Sequence, residues 1–401
     1  MVENSPSLAK TPASFTPHHA APNWALRAVG AALILAILVG LQWLLREQFN
    51  PYITQVIALV GVNIILAVSL NLINGVTGQF SLGHAGFMAV GAYASAAFSF
   101  YASPYLALPP QLIFAIAIVI GAAVAGLAGL IVGLPSLRLR GDYLAIVTLG
   151  FNQIIISILQ NADYVGGATG FNQIPRYANL VWVFAFVVLC VFCVRNLANS
   201  QLGRSMKAIR DDEVAAEAVG INTTGIKVLA FVISAMWAGV AGALQVHYLG
   251  SANPDSFTFV KSVEIVVMVV LGGLGSITGS VVSATGLKFL EEALREASSV
   301  FWVVPLLVVL GLSLTGWTAF KAHKLASWAR GAVAAVVLLG VFLWFAGQNQ
   351  DWLESNKGAL RYVIYALILI GMMLVRPEGL LGRWELSFRK RKLPLVDAGV
   401  R

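Results

Sequence analysis

Few side chains in this sequence are suited to chemistry, and their spacing decides what each set could do. Cys190 and Cys193 form a C-x-x-C. That spacing serves redox or metal chemistry in a polar setting, but here it closes the apolar run 181–193, so the expected role is packing. His18 and His19 could chelate a metal weakly, but they lie in a polar lead, 1–23, that reads as a tail. Glu291, Glu292 and Glu296 share a short charged segment that reads as a solvated external helix. No set of His, Asp and Glu has metal-ligand or acid–base spacing, so no catalytic or metal-binding residue is expected. There is no G-x-x-x-x-G-K-[ST]: the nearest stretch, Gly279 to Lys288, lacks the Gly-Lys-Ser/Thr ending and is apolar. What remains is a neutral polar cluster, Asn71, Asn74, Thr77, Gln79, Ser81 and His84, interleaved with glycines including Gly83. Its chemistry is hydrogen bonding without charge, suited to the passage of a polar solute.

The elements that must hold this cluster are set by composition. Of 401 residues 58% are apolar and 11% are charged, with a mean hydropathy of +0.82. A soluble domain carries about 25% charged residues. A cytosolic enzyme, a disordered regulator and a nucleic-acid-binding protein are therefore excluded, despite a net charge of +8. Apolar runs fall near 24–45, 51–73, 80–101, 110–134, 142–160, 179–195, 226–247, 262–290, 300–318, 331–347 and 358–375. Backbone polar groups in hydrocarbon must pair within their own segment, so these runs are helices. The fold class is an all-α integral membrane protein, polytopic, with about 10–12 transmembrane helices and glycine-broken or re-entrant segments in two related halves. Glycines at 121, 126, 129 and 133, and at 239 and 242, are spaced for close helix contact.

Basic residues orient the chain. Arg138 and Arg140, then Arg195, Arg204, Lys207 and Arg210, then Lys321, Lys324 and Arg330, and finally the tail from Arg383 to Lys392 all fit the inside. Asp163, Asp351 and Glu354 then fall outside. The run 262–290 must enter and return, because the loop near Asn253 and the segment from Glu291 both come out external. It contains Leu271 to Gly279, with Gly272, Gly273 and Gly275 as the natural break. The break at Asn74–His84 is its earlier counterpart. Paired broken helices often carry a transporter's pathway, so Asn71, Asn74, Gln79, Ser81, Gly83, His84, Gly272, Gly273 and Gly275 are the candidate pathway residues. Asp142, Lys261 and Glu264 are expected near the ends of spans.

The longest inner loop, 196–225, is the most soluble-looking piece between spans. Ser200 to Arg210 reads as a basic amphipathic helix. Asp211 and Asp212 can cap a second one, with Glu213 in its first turn and Gly220 as C-cap. Structured, mixed-charge residues in a connector suggest a docking surface for a cytoplasmic partner.

Here the chain resembles a known family. Glu213-Val-Ala-Ala-Glu217-Ala-Val-Gly220, with Ala215 and Ala216 at its centre, is similar to the Glu-Ala-Ala…Gly coupling motif of ABC importer permeases. More closely, the chain resembles the LivM-type permease subunits of branched-chain amino acid importers. The matching stretches are Ser69 to Tyr93, Gly141 to Phe151, Gly203 to Gly220, Gly272 to Gly279 and Arg376 to Gly382, in family order. It departs at Gln153-Ile-Ile-Ile156, where the family commonly has Glu-Ile-Ile-Arg, and at Val165, where it commonly has Thr before the Gly-Gly.

The resemblance implies a heterodimer with a second, LivH-type permease subunit, two cytoplasmic ATPase subunits and a periplasmic solute-binding protein. It implies no cofactor on this chain, ATP and Mg being used by the partner ATPases, and no nucleic-acid partner. The site would be a bacterial inner membrane, in contact with its lipid and with both termini cytoplasmic. Arg204, Arg210, Asp211, Asp212, Glu213, Ala215, Ala216, Glu217 and Gly220 would be the ATPase-coupling loop. The expected organisation is a disordered tail 1–23, a permease core 24–299, an extra helical hairpin 300–357, a last transmembrane helix 358–382 and a basic tail 383–401. The expected function is translocation of branched-chain or related amino acids by alternating access. A stand-alone ion-coupled transporter or channel for small neutral solutes is the alternative, and a membrane enzyme a third reading.

Overall fold

The computed structural model describes residues 50–136 and 142–293, apart from Ala107. The expected spans at 24–45, 300–318, 331–347 and 358–375, with both tails, lie outside the described residues. Within them the chain is helical: α1 (Pro51–Asn71), α2 (His84–Ala97), α3 (Pro110–Ser136), α4 (Asp142–Gln160) and α5 (Leu180–Asn199). Two short helices follow, α6 (Gln201–Asp211) and α7 (Glu213–Ala218). Then come α8 (Thr223–Leu249), α9 (Phe259–Gly272) and α10 (Ile277–Ala293). Among the described residues six helices are long and apolar enough to cross a membrane: 51–76, 84–102, 110–134, 143–160, 180–199 and 223–249. At 1.5 Å per residue the first is about 39 Å long, ample for a hydrocarbon core of about 30 Å.

Helix α1 is the axis of the bundle. Its most apolar stretch is 89% buried, against 28% for α4 and α5. Helix α5 packs on one side of it, α9 and α10 on another, and α8 on a third. The remaining seam joins α2, α3 and α8 through small residues. Gly91 lies backbone to backbone against Gly239, Gly121 against the carbonyl of Gly91, and Gly242 against the carbonyl of Met88. The glycine spacing read from the sequence thus serves close approach, which dispersion rewards where no hydrophobic drive operates between helices. Phe87 and Phe231 fill the space beside it edge to face, with centroids 5.5 Å apart.

Residues 259–293 form an antiparallel hairpin, as the sequence required: α9 enters, Gly273 to Ser276 turns the chain, and α10 returns along it. Ser283 Oγ donates to the Met268 carbonyl across the pair. Two ends of the bundle can now be distinguished. One, the loop end, carries α6 and α7. The other carries the segments 161–179 and 250–258, joined by the two-residue strands β1 (Phe171–Asn172) and β2 (Ser251–Ala252).

Candidate functional site

The two helix breaks meet near the loop end. After Asn71 the helix widens into one π turn, Leu72–Val76, a distortion frequent at functional sites. The chain then folds back on itself: Thr77 Oγ1 donates to the Leu72 carbonyl at 2.9 Å, and Gln79 N–H to the Ile73 carbonyl at 3.0 Å. Asn71 ties this turn to the hairpin. Its Nδ2 donates to the Ser276 carbonyl at 3.0 Å, and its Oδ1 accepts from Gly275 N–H at 2.8 Å. An amide carries a donor and an acceptor on separate atoms, so it can do both at once. Gly75 must lack a Cβ because the backbone of Gly275 and the Asn71 amide occupy that space.

Arg210, the last basic residue of α6, reaches this junction. Its Nη1 donates to the Gly75 carbonyl at 3.2 Å. Its Nε and Nη2 donate to Asp211 Oδ1 at 3.1 and 3.0 Å. The side chain lies across Gly78, whose missing Cβ would strike Arg210 Cγ. One guanidinium fork therefore joins the loop to both breaks, directly at Gly75 and through Asn71 at Gly275.

The stretch that follows is held by neighbours on every side. Ser81 N–H donates to Asn74 Oδ1 at 3.2 Å and Leu82 N–H to Thr148 Oγ1 on α4 at 3.0 Å. Ala85 N–H donates to Ser262 Oγ on α9 at 3.1 Å. His84 Nε2 lies 2.9 Å from Ser69 Oγ on α1. Ser69 Oγ also lies 3.0 Å from the Leu66 carbonyl. With the Ser69 proton on that carbonyl, Oγ accepts from His84 Nε2–H and Nδ1 is bare. Asn71, Asn74, Thr77, Gln79, Ser81 and His84 are all buried. Several of their polar atoms nonetheless have no hydrogen-bond partner: Asn74 Nδ2, both amide atoms of Gln79, Ser81 Oγ and His84 Nδ1. Asn152 on α4, buried against Gly86, has both amide atoms unpartnered as well.

The loop 200–222 takes the form its caps dictate. Ser200 Oγ accepts from Gly203 N–H at 3.3 Å to start α6. Asp212 alone caps α7, its Oδ1 accepting from Val214 and Ala215 N–H at 2.9 and 3.1 Å. Asp211 is not a cap, contrary to expectation, because Arg210 holds its carboxylate. Gly220 ends the unit at φ +84°, with nothing near its Cβ position, so only conformation demands glycine there. The loop is fastened to α8 by a Lys227–Glu213 ion pair at 2.7 Å and by Thr223 Oγ1 donating to Glu217 at 2.7 Å. Ala216 is turned inward, whereas Val214 and Val219 are 64% and 77% exposed at the tip.

Not every residue singled out by sequence joins the site. Arg204 is exposed on α6, away from the junction. Gly272 packs on the backbone of Gly279, and Gly83 on the carbonyl of Thr148; both are packing positions, though Gly83 also precedes α2. Gly273, at φ +107°, makes the turn of the hairpin. Lys261 and Glu264 lie in the first two turns of α9, near its end; they pair at 2.9 Å, and Lys261 Nζ donates to Asn63 at 3.1 Å, halfway along α1. Cys190 is buried and Cys193 exposed, both free. Among the described residues no group of His, Cys, Asp or Glu could hold a metal. At the other end a cavity of about 640 Å³, lined among others by Thr54, Arg176 and Tyr248, lies roughly 25 Å along α1 from Asn71.

Apolar crossing helices around a core of neutral polar groups, with two broken segments bonded together, define a multi-pass membrane transport permease. The comparisons agree on the particular kind. Residues 52–341 match the family described as branched-chain amino acid transport system / permease component, and the chain belongs to that family. It is 36% identical over 268 residues to the high-affinity branched-chain amino acid permease LivM of Salmonella typhimurium, covering 58% of this chain and 61% of that protein. It is 31% identical over 153 residues to LivH of Escherichia coli, covering 38% and 49%. The ribose import permease RbsC of Escherichia coli is 28% identical over 219 residues, covering 50% and 66%. The chain thus spans about three-fifths of the LivM length. No solved structure matches.

Proposed function

We propose that this chain is the permease subunit of an ATP-binding-cassette importer for branched-chain or related amino acids, working by alternating access in a bacterial inner membrane. The observation that carries the reading is the bond from Arg210 to the Gly75 carbonyl. A loop helix that bears no substrate has no reason to reach the meeting point of two broken helices unless it moves them. The loop end is the cytoplasmic one, since Arg195, Arg204, Lys207 and Arg210 collect there. Two ATPase subunits, which bind ATP and Mg, engage α6 and α7 through the bare valines at the tip. Their closure displaces α6, and Arg210 passes the displacement to Gly75 and, through Asn71, to Gly275. A LivH-type permease completes the channel, and a periplasmic binding protein delivers solute to the 161–179 and 250–258 segments. The likeness to the LivM and LivH permeases supports the solute class and the second permease.

The test is deletion of 205–220 in cells expressing the whole transport system. Leucine uptake is expected to vanish while the permease still inserts and pairs with its partner. Uptake surviving the deletion would overturn the reading.

A stand-alone ion-coupled carrier is the second reading. It rests on the Lys261–Glu264 pair drawn in against Asn63, because ionisable groups within spans default to function. Uptake by this chain alone, abolished by an ionophore and indifferent to ATP, would favour it.

A further inference from the structure

Inside the bundle, polar atoms from four segments stand unpartnered around one short stretch of chain. Asn74 and Gln79 belong to the first break, and Ser81 to the extended segment after it. His84 opens α2, and Asn152 belongs to α4. Helix α4 places Thr148 and Asn152 one turn apart on one face. Thr148 binds Leu82 and contacts Gly83, while Asn152 lies against Gly86. The five residues are therefore neighbours along 74–86 and not scattered exceptions. A buried polar group without a partner is costly, and native proteins keep few of them. A set of this size in one place points to a ligand that supplies the missing bonds.

We infer that these five residues form a binding site for the amino-acid head group of the transported solute, an inference that rests on the permease reading above. The chemistry of the set selects the ligand. Asn74 Nδ2, Gln79 Nε2 and the Ser81 hydroxyl are donors. Asn152 Oδ1 and Gln79 Oε1 are acceptors, and His84 Nδ1 is one in the tautomer whose Nε2–H faces Ser69. No side chain in the set carries a charge. A lone anion or cation would enter without a counter-charge, which burial penalises heavily. A zwitterion brings both charges, its carboxylate to the amide donors and the N-terminal end of α2, its ammonium to the acceptors. The site lies wholly within the chain, so α2 and α4 must part for solute to enter or leave. That places it at the element boundary which Arg210 and the first break are positioned to move.

The test uses the whole complex, with permeases, ATPases and binding protein, in proteoliposomes, and L-leucine and L-lysine as probes. Asn152→Leu is expected to lower leucine uptake about tenfold, with the complex still co-purifying intact. Asn152→Asp adds a fixed negative charge and is expected to raise lysine uptake relative to leucine about threefold or more. Ser81→Ala, which removes a single oxygen, is the variant least able to disturb folding and should lower leucine uptake about threefold or more. Val188→Ala, on the exposed face of α5, should leave uptake unchanged. Leucine uptake within about twofold of the parent in all three site variants, with an unaltered leucine-to-lysine ratio, would overturn the proposal and leave the polar atoms to ordered water. Failure of the parent complex itself to drive leucine uptake with ATP would instead overturn the permease reading, and the head-group site with it.

Discussion

Two residues connect what the sequence presented as separate features. Arg210 uses three nitrogens, two on Asp211 and one on the Gly75 carbonyl. Lysine offers one compact ammonium and cannot span both partners. Arg210→Lys should therefore retain only part of the leucine uptake, and Arg210→Ala should lower it about tenfold or more, as loss of a charge-assisted bond implies. ATP hydrolysis by the complex should persist in both, and the ratio of solute moved to ATP consumed is the quantity to measure. Equal ratios in parent and variants would show that Arg210 transmits nothing. Asn71 is the second such residue. Replacing it with Asp removes the donor to Ser276 and buries a charge, so the detergent-solubilised protein should lose about 1–3 kcal/mol or more of stability, read as a lower melting temperature. Both residues were visible in the sequence, Arg210 as part of the loop and Asn71 as part of a polar cluster. Their connection was not, because it joins positions 135 and 204 residues apart. Asn152 gave almost no sequence signal. The departure from the family pattern draws attention to Gln153, which is exposed, whereas the buried amide is the residue before it. Only the recurrence of Thr148 and Asn152 at one helical turn in an apolar run hints at a polar face.

At the scale of elements, the loop 200–222 was the most legible part of the chain. Ser200, Asp212 and Gly220 are local signals, and local physics decides them: an N-cap, a second N-cap and a left-handed residue within 21 positions. The hairpin 259–293 was legible for a different reason, since charge bias forced both its ends to one side. Where it starts was not. Lys261 is drawn in because α9 packs on α1 and reaches Asn63, a tertiary demand that hydropathy does not record. The caps lead to a prediction about partner binding. Asp212→Ala removes both bonds that start α7 and should cost about 1 kcal/mol, loosening a helix of 6 residues. Val214→Asp with Val219→Asp leaves every cap in place but charges the exposed tip. The double variant should keep the melting temperature of the parent and lose retention of the ATPase subunits in co-purification. A tip that binds nothing would show parental retention with two aspartates in place.

The whole molecule has a polarity that no single element shows. Arg195, Arg204, Lys207, Arg210 and Lys227 gather at the loop end, two of them paired there with Asp211 and Glu213. The other end holds Asp163, Asp255 and Glu292. Between the ends the bundle keeps its outward surfaces apolar, as Val119, Leu127, Ile131, Ile146 and Phe192 illustrate, so the chain can sit in lipid in one sense or its inverse. Basic-residue bias argues for the sense with the loop end in the cytoplasm, and the coupling proposed through Arg210 requires that same sense. The two arguments are independent, one from membrane insertion and one from the bond to Gly75, and a single measurement tests both. Val219 is 77% exposed in the loop and Tyr164 is 71% exposed at the other end. In a background with Cys190 and Cys193 replaced by alanine, Tyr164→Cys should react with a membrane-impermeant maleimide in cells whose inner membrane is intact. Val219→Cys should react only after that membrane is opened. The reverse pattern would put α6 and α7 on the side without ATP, and Arg210 could then carry no force from an ATPase, whatever its geometry at Gly75.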